Sequence, residues 1–260
     1  MKRLIITAIL CAAATGLFAQ TDSTGTHKHK KGYTFSIGNE THADSSRHGR
    51  KATGFSIGLT FSRFDIGLAT LIDNGSFTLS PKNQFLNYRS WKTSNVGFDV
   101  FQFGYRFSSG FKLYLSAGFD WTHIRLRNNI TIQKDADMSQ LHYTTDAIDY
   151  SKNRFSSSYL RIPLSFDFRS HDDARGKRFH FVAGPDIGIL LNGRVKQISD
   201  ENGKQKFNDD YHYTKLRYGA FARIGYDNLG IYTKYYFNDM FDTEAQKGLK
   251  NLSLGLTLGF

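Results

Sequence analysis

A chain of 260 residues has room for one domain of ordinary size with a leader and a tail, so a single core is the starting assumption. Its 15% aromatic content and its 24 Gly against 3 Pro disfavour a helical protein, and an all-β chain is expected. The net charge of +11 fits nucleic acid or an anionic membrane surface and does not by itself choose between them.

Met1-Lys2-Arg3 is a short basic start, followed by an apolar run from Leu4 to Ala14 and an exit at Leu17-Phe18-Ala19. This reads as a secretory signal over residues 1–19, cleaved after Ala19, because the run is shorter than the roughly 20 residues a membrane helix needs. Cys11, the only cysteine, would leave with it. That excludes a disulfide, a Cys-ligated zinc and a thiol nucleophile from the mature chain. Residues 20–52 are polar and basic, with His27-Lys28-His29-Lys30-Lys31 at their centre. They are expected to form a mobile tail, in which Tyr33 to Gly38 could pair briefly as a strand.

From residue 53 the pattern alternates with period two, and eight strands are expected. The first sets Phe55, Ile57, Leu59 and Phe61 opposite small polar residues, and the second sets Phe101, Phe103, Tyr105 and Phe107 opposite Gln102, Gly104 and Arg106. The third runs from Phe111 to Trp121 with Lys112, Tyr114, Ser116, Gly118 and Asp120 on its other face, before an expected bulge and change of face near His123. In the fourth, Leu160 to Phe168 alternate with Arg161, Pro163, Ser165 and Asp167. The fifth covers Phe179 to Ile189 and carries Asp186 on its polar face. Arg217 and Arg223 lie on that face of the sixth, Leu216 to Tyr226, and Lys234 on that of the seventh, Leu229 to Phe237. The last runs from Leu252 to Phe260.

A soluble barrel would point its apolar face inward, so the other face decides between the two arrangements. Gly recurs on it, as a narrow lumen rewards, and Glu40, Glu201 and Glu244 all lie outside the strands. The charges left there are of both signs: Arg106, Lys112, Asp120, Arg161, Asp167, Asp186, Arg217, Arg223 and Lys234. They are expected to pair across a closed interior while the apolar face meets lipid. Long links at about 67–90, 133–155, 198–212 and 239–249 alternate with short ones at Ser108 to Gly110, His171 to Gly176 and Asp227-Asn228. Outer-membrane barrels place long loops outside and short turns in the periplasm, which puts the tail in the periplasm. The outward residues nearest the short-turn rim are Phe55, Phe107, Phe111, Phe168, Phe179, Tyr226 and Phe260, an expected aromatic belt.

Residues 53–260 resemble the outer-membrane β-barrel proteins common in Bacteroidetes that include the PorT-like proteins. The likeness lies in the opening Gly54-Phe55-Ser56-Ile57-Gly58, in Leu79-Ser80-Pro81 running on to Ser90-Trp91 and Asn95, in Tyr159 to Leu164, and in the ending Leu256-Thr257-Leu258-Gly259-Phe260. It implies an all-β transmembrane barrel inserted by the barrel-assembly machinery, with Phe260 and the apolar face before it as the recognition strand. It does not imply one activity, since fold does not fix function.

Chemistry finds little footing. Gly54-Phe55-Ser56-Ile57-Gly58 matches G-x-S-x-G, but that motif works at a strand-to-helix turn and here lies along a strand. A lipid hydrolase would need a rim His, for which only His123 is placed, and an interfacial histidine is the favoured reading. Asp135, Asp137, Asp146 and Asp149 match no Ca²⁺ loop spacing. The expectation is a non-enzymatic barrel with a filled, charged lumen, without cofactor, metal or nucleic acid. Its expected partners are outer-membrane lipid and an envelope protein. The alternatives are an accessory subunit of a secretion machine and a barrel-embedded lipid-modifying enzyme.

Overall fold

The structure, a computed structural model, describes residues 32–37, 54–59, 63–134 and 137–260. Its strands are β1 (Gly32–Ile37), β2 (Gly54–Leu59), β3 (Phe64–Asp73), β4 (Ser94–Arg106), β5 (Phe111–Arg125), β6 (Ile130–Ile132), β7 (Tyr143–Thr145), β8 (Lys152–Arg169), β9 (Phe179–Ser199), β10 (Gly203–Asp209), β11 (Leu216–Tyr226), β12 (Leu229–Tyr236) and β13 (Leu249–Leu258). Among the described residues no helix is long and apolar enough to cross a membrane.

Antiparallel pairing runs from β3 to β4, β5, β8, β9, β11, β12 and β13 and returns from β13 to β3. The ladder therefore closes on itself, so strand edges along the ring are paired rather than exposed. Side chains alternate as the sequence pattern predicts: in β12, Leu229 and Ile231 are exposed while Gly230, Tyr232 and Lys234 are buried. Short turns fall at one end, among them Asp227-Asn228, where Asp227 takes φ 58°, the left-handed backbone a two-residue hairpin requires.

The first strand differs from the expectation. Its segment splits into β2 and β3, which both pair with β4, and β3 continues to Asp73 where the loop was placed from residue 67. No change of face occurs at His123: Thr122 and Ile124 are buried and Arg125 stays outward, because Ile124 reaches an apolar cluster above the strand. The register shifts instead lie at Asp99/Phe101 and at Ser158/Tyr159. Similarly, β9 runs to Ser199 and turns back as β10, where a plain loop over 198–212 was expected.

Part of the region read as a tail is also a strand. β13 ends at Leu258 opposite Phe64, and the edge of β2 beyond that point pairs with β1 in parallel register, from Gly32↔Gly54 to Ile37↔Leu59. Residues 1–31 and 38–53, including the expected leader and the His-Lys run, lie outside the described residues.

The long connections pack over the other end of the ring. Phe155 packs against Tyr213 and Phe241, with ring centroids 4.8 and 5.9 Å away, in a buried cluster that also takes Leu86, Ile132 and Leu249. Gln246 ties three loops together: its amide donates to Asn83 Oδ1 (3.2 Å), and its carbonyl oxygen accepts from Leu141 N (2.9 Å) and Thr243 Oγ1 (2.8 Å).

Candidate functional site

Every strand of the ring sends a polar side chain into one buried network. Asp65 on β3 accepts from Arg161 Nη1 (2.7 Å), from Arg223 Nη2 (2.8 Å) and from Thr257 Oγ1 (2.8 Å). Asp99 on β4 accepts from Arg161 Nη2 (2.6 Å) and Arg63 Nη1 (3.2 Å). Asp120 on β5 accepts from Lys234 Nζ (2.6 Å) and Arg217 Nη2 (2.5 Å), and from Asn95 Nδ2 (3.2 Å). The Arg217 guanidinium is held between the rings of Tyr159 and Tyr236, at 3.7 and 4.0 Å from their centroids. Tyr236 Oη in turn donates to Asp186 Oδ2 on β9 (3.1 Å).

Each of these three aspartates meets two cations, which satisfies several of its lone pairs and offsets the cost of taking it out of water. Gly97 makes room for the network: a Cβ there would stand 2.8 Å from Arg161 Nη1 and 2.9 Å from Asp120 Oδ1. Between the network and the apolar cluster a cavity of about 20 Å³, lined by Tyr159, Arg217, Tyr236 and Met240 among others, is the size of one water.

Of the charges expected inside, Asp120, Arg161, Arg217, Arg223 and Lys234 lie in this network, with Asp186 joined through Tyr236. Asp167 lies nearer the short-turn end, paired with Arg169 (2.5 Å) and with His180 3.4 Å away, and Lys112 is buried beside Tyr114. Arg106 sits at the end of β4, opposite Lys112. The expectation omitted Asp65, Asp99 and Arg63. Asp65 alternates correctly with Phe64 and Ile66, a signal that was present, whereas the register shift beside Asp99 hides that residue from any strict count of two.

The aromatic belt needs one correction. Phe55 packs against Tyr105 (4.7 Å), Tyr105 on Phe107 (4.7 Å), Phe107 on Phe111 (5.4 Å) and Phe111 on Phe168 (5.1 Å), and Phe179 meets Tyr226 (5.3 Å). Phe260 is not among them. Gly259, at φ 80°, turns the chain, and the Phe260 ring stacks on inward-facing His180 (4.8 Å) over Gly225 and Gly230. A Cβ at Gly225 would stand 2.6 Å from that ring. The variant Gly225→Val should therefore expel Phe260 and lower stability by about 1–3 kcal/mol, measured as a reduced urea midpoint of the refolded protein.

The remaining candidates find ordinary surroundings. Ser56 lies along β2 and donates to the Gly104 carbonyl (3.4 Å), far from the turn a nucleophile elbow needs. His123 faces Ser156 across the ladder, and Ser156 in turn faces Arg194. The loop carboxylates go to separate donors: Asp137 to Ser139 and His142, Asp146 to Thr131 and Tyr150, Asp149 to Asn129. The Ser139 hydroxyl and amide hold the Asp137 carboxyl down to about 2. Asp135 lies outside the described residues.

A closed antiparallel ring, apolar outside and ionic inside, is the arrangement of a membrane barrel. Residues 18–242 match the family described as outer membrane protein beta-barrel domain. The chain belongs to this family. Its place is accordingly the outer membrane. No curated protein matches the chain.

Proposed function

We propose that this protein is a non-enzymatic, eight-stranded outer-membrane barrel that acts as a rigid structural or surface-interaction element, offering its extracellular loops to a partner. One observation carries the reading: the interior is occupied by a network of ion pairs and hydrogen bonds to which every strand of the ring contributes, and a buried apolar cluster closes the loop end above it. A barrel of this size has an interior that side chains fill, so solutes would have no path through it. Phe77, Trp91 and Met138 remain exposed on the loops and supply apolar surface for a contact. In this reading residues 1–19 are removed on export, the apolar face meets outer-membrane lipid, and the barrel-assembly machinery engages β13. Purified protein in planar bilayers is expected to give no stable conductance, and large, long-lived current steps would refute the filled-lumen reading.

A second reading, an accessory subunit of an envelope secretion machine as in PorT-like proteins, is favoured by the pairing of β1 with β2, which sets Gly32 opposite Gly54 near the short-turn rim. Deleting residues 20–52 should then abolish co-purification of an envelope partner while leaving the barrel folded. Retention of every partner would count against it.

A further inference from the structure

Above the apolar band, the outward faces of four adjacent strands carry a row of cations. Arg125 on β5 stands opposite Arg154 on β8, Arg154 opposite Lys196 on β9, and Lys196 opposite Lys206 on β10. Lys152 and Lys204 flank Ile198 in the next row out, and His123, Ser156 and Arg194 form the row beneath. Like charges directly opposite one another in a sheet destabilise it. None of these cations makes an ion pair among the described residues, whereas Asp65, Asp99 and Asp120 inside the ring each meet two cations. Arg154 Nε, His123 Nδ1 and Ser156 Oγ also have no hydrogen-bond partner there. The cluster thus has cationic charge and donors to spare and no acid of its own.

We infer that this face binds the phosphorylated headgroup of a lipid in the outer leaflet. The position selects a lipid rather than a free anion. On the same strands the cations are continuous with outward apolar residues, Phe119 and Trp121 below His123, Leu160 and Ile162 on β8, and Ile187 and Ile189 on β9. A lipid would lay its acyl chains on that band while its phosphate meets the row. Four strands at about 4.8 Å spacing make the row about 14 Å wide, enough for a headgroup carrying more than one phosphate. Loop lengths put this end of the barrel outside, where the outer leaflet lies.

The test uses the full chain refolded in neutral detergent micelles and native mass spectrometry. The probes are diphosphorylated lipid A, its dephosphorylated counterpart and inorganic phosphate. The wild type should retain the phosphorylated lipid at least tenfold better than the dephosphorylated one, and inorganic phosphate should not displace it. The triple variant Arg154→Gln, Arg194→Gln, Lys196→Gln should bind roughly a hundredfold more weakly, at about one order of magnitude or less per cation. The variant Arg175→Gln, Lys177→Gln at the opposite rim should bind as the wild type does. In lipid-free micelles the triple variant should also unfold at an equal or higher urea concentration, since it relieves repulsion. Equal retention of both lipids, full competition by inorganic phosphate, unchanged binding by the triple variant, or a triple variant less stable than the wild type without lipid would each overturn the proposal.

Discussion

Replacing Arg161 by Met should lower the stability of the folded barrel by about 3–5 kcal/mol, the cost of leaving buried carboxylates short of a partner. Arg161 is nearly inaccessible, and among the described residues its guanidinium is the one group that bridges Asp65 and Asp99. Without it Asp65 keeps Arg223 and Asp99 keeps Arg63, so each carboxylate retains one cation where it had two. Adding Asp99→Asn to the variant removes one of the stranded charges and should recover part of the loss. Urea unfolding of protein refolded in micelles measures both. If Arg161→Met unfolded like the wild type, the network would be ornamental to the fold.

An effect of similar size is expected for Phe155→Ala, with a different signature. Phe155 is fully buried where Tyr211, Tyr213 and Phe241 converge, and truncating a buried Phe costs about 3–5 kcal/mol. The cavity forms in the apolar cluster over the ring, not in the ring itself, so damage should concentrate in the loops. Hydrogen exchange should accelerate around residues 79–88, 130–141 and 240–249 while amides in β11 and β12 remain protected. Uniform acceleration through all strands would show that cap and ring unfold as one unit.

The strands were legible in the sequence wherever alternation ran unbroken. Leu216 to Tyr226 and Leu229 to Tyr236 carry outward Leu, Tyr and Ile against inward Arg217, Arg223 and Lys234, and both faces follow from counting by two. Legibility failed where the backbone departs from a plain pleat. The first strand was ended before β3, which left out Asp65 although it alternates with Phe64 and Ile66, and the register shift at Asp99/Phe101 concealed Asp99, so two acids at the centre of the network were missed. The cap was missed for another reason. Its residues come from separate loops, and a lone Phe155 or Phe241 within a polar stretch carries no periodic signal before the loops are brought together. Phe260 was misplaced because the positive φ of Gly259 takes it off the alternation just where the pattern was extrapolated. The cationic row was invisible because strands β8, β9 and β10 extend into stretches read as loops, and only the register sets Arg154 opposite Lys196.

Which way the apolar face points can be tested with the chain's own tryptophans. There are two: Trp91 in a loop, largely exposed, and Trp121 on the outward face of β5 beside Phe98 and Phe119. With Trp91→Phe, the remaining fluorescence reports Trp121 alone. In vesicles whose acyl chains are brominated, that emission should be strongly quenched, and most strongly by bromines placed high on the chain, since His123 and Arg125 lie just above. Emission unaffected by brominated lipid at every depth would place Trp121 away from acyl chains and contradict the orientation from which everything else here is built.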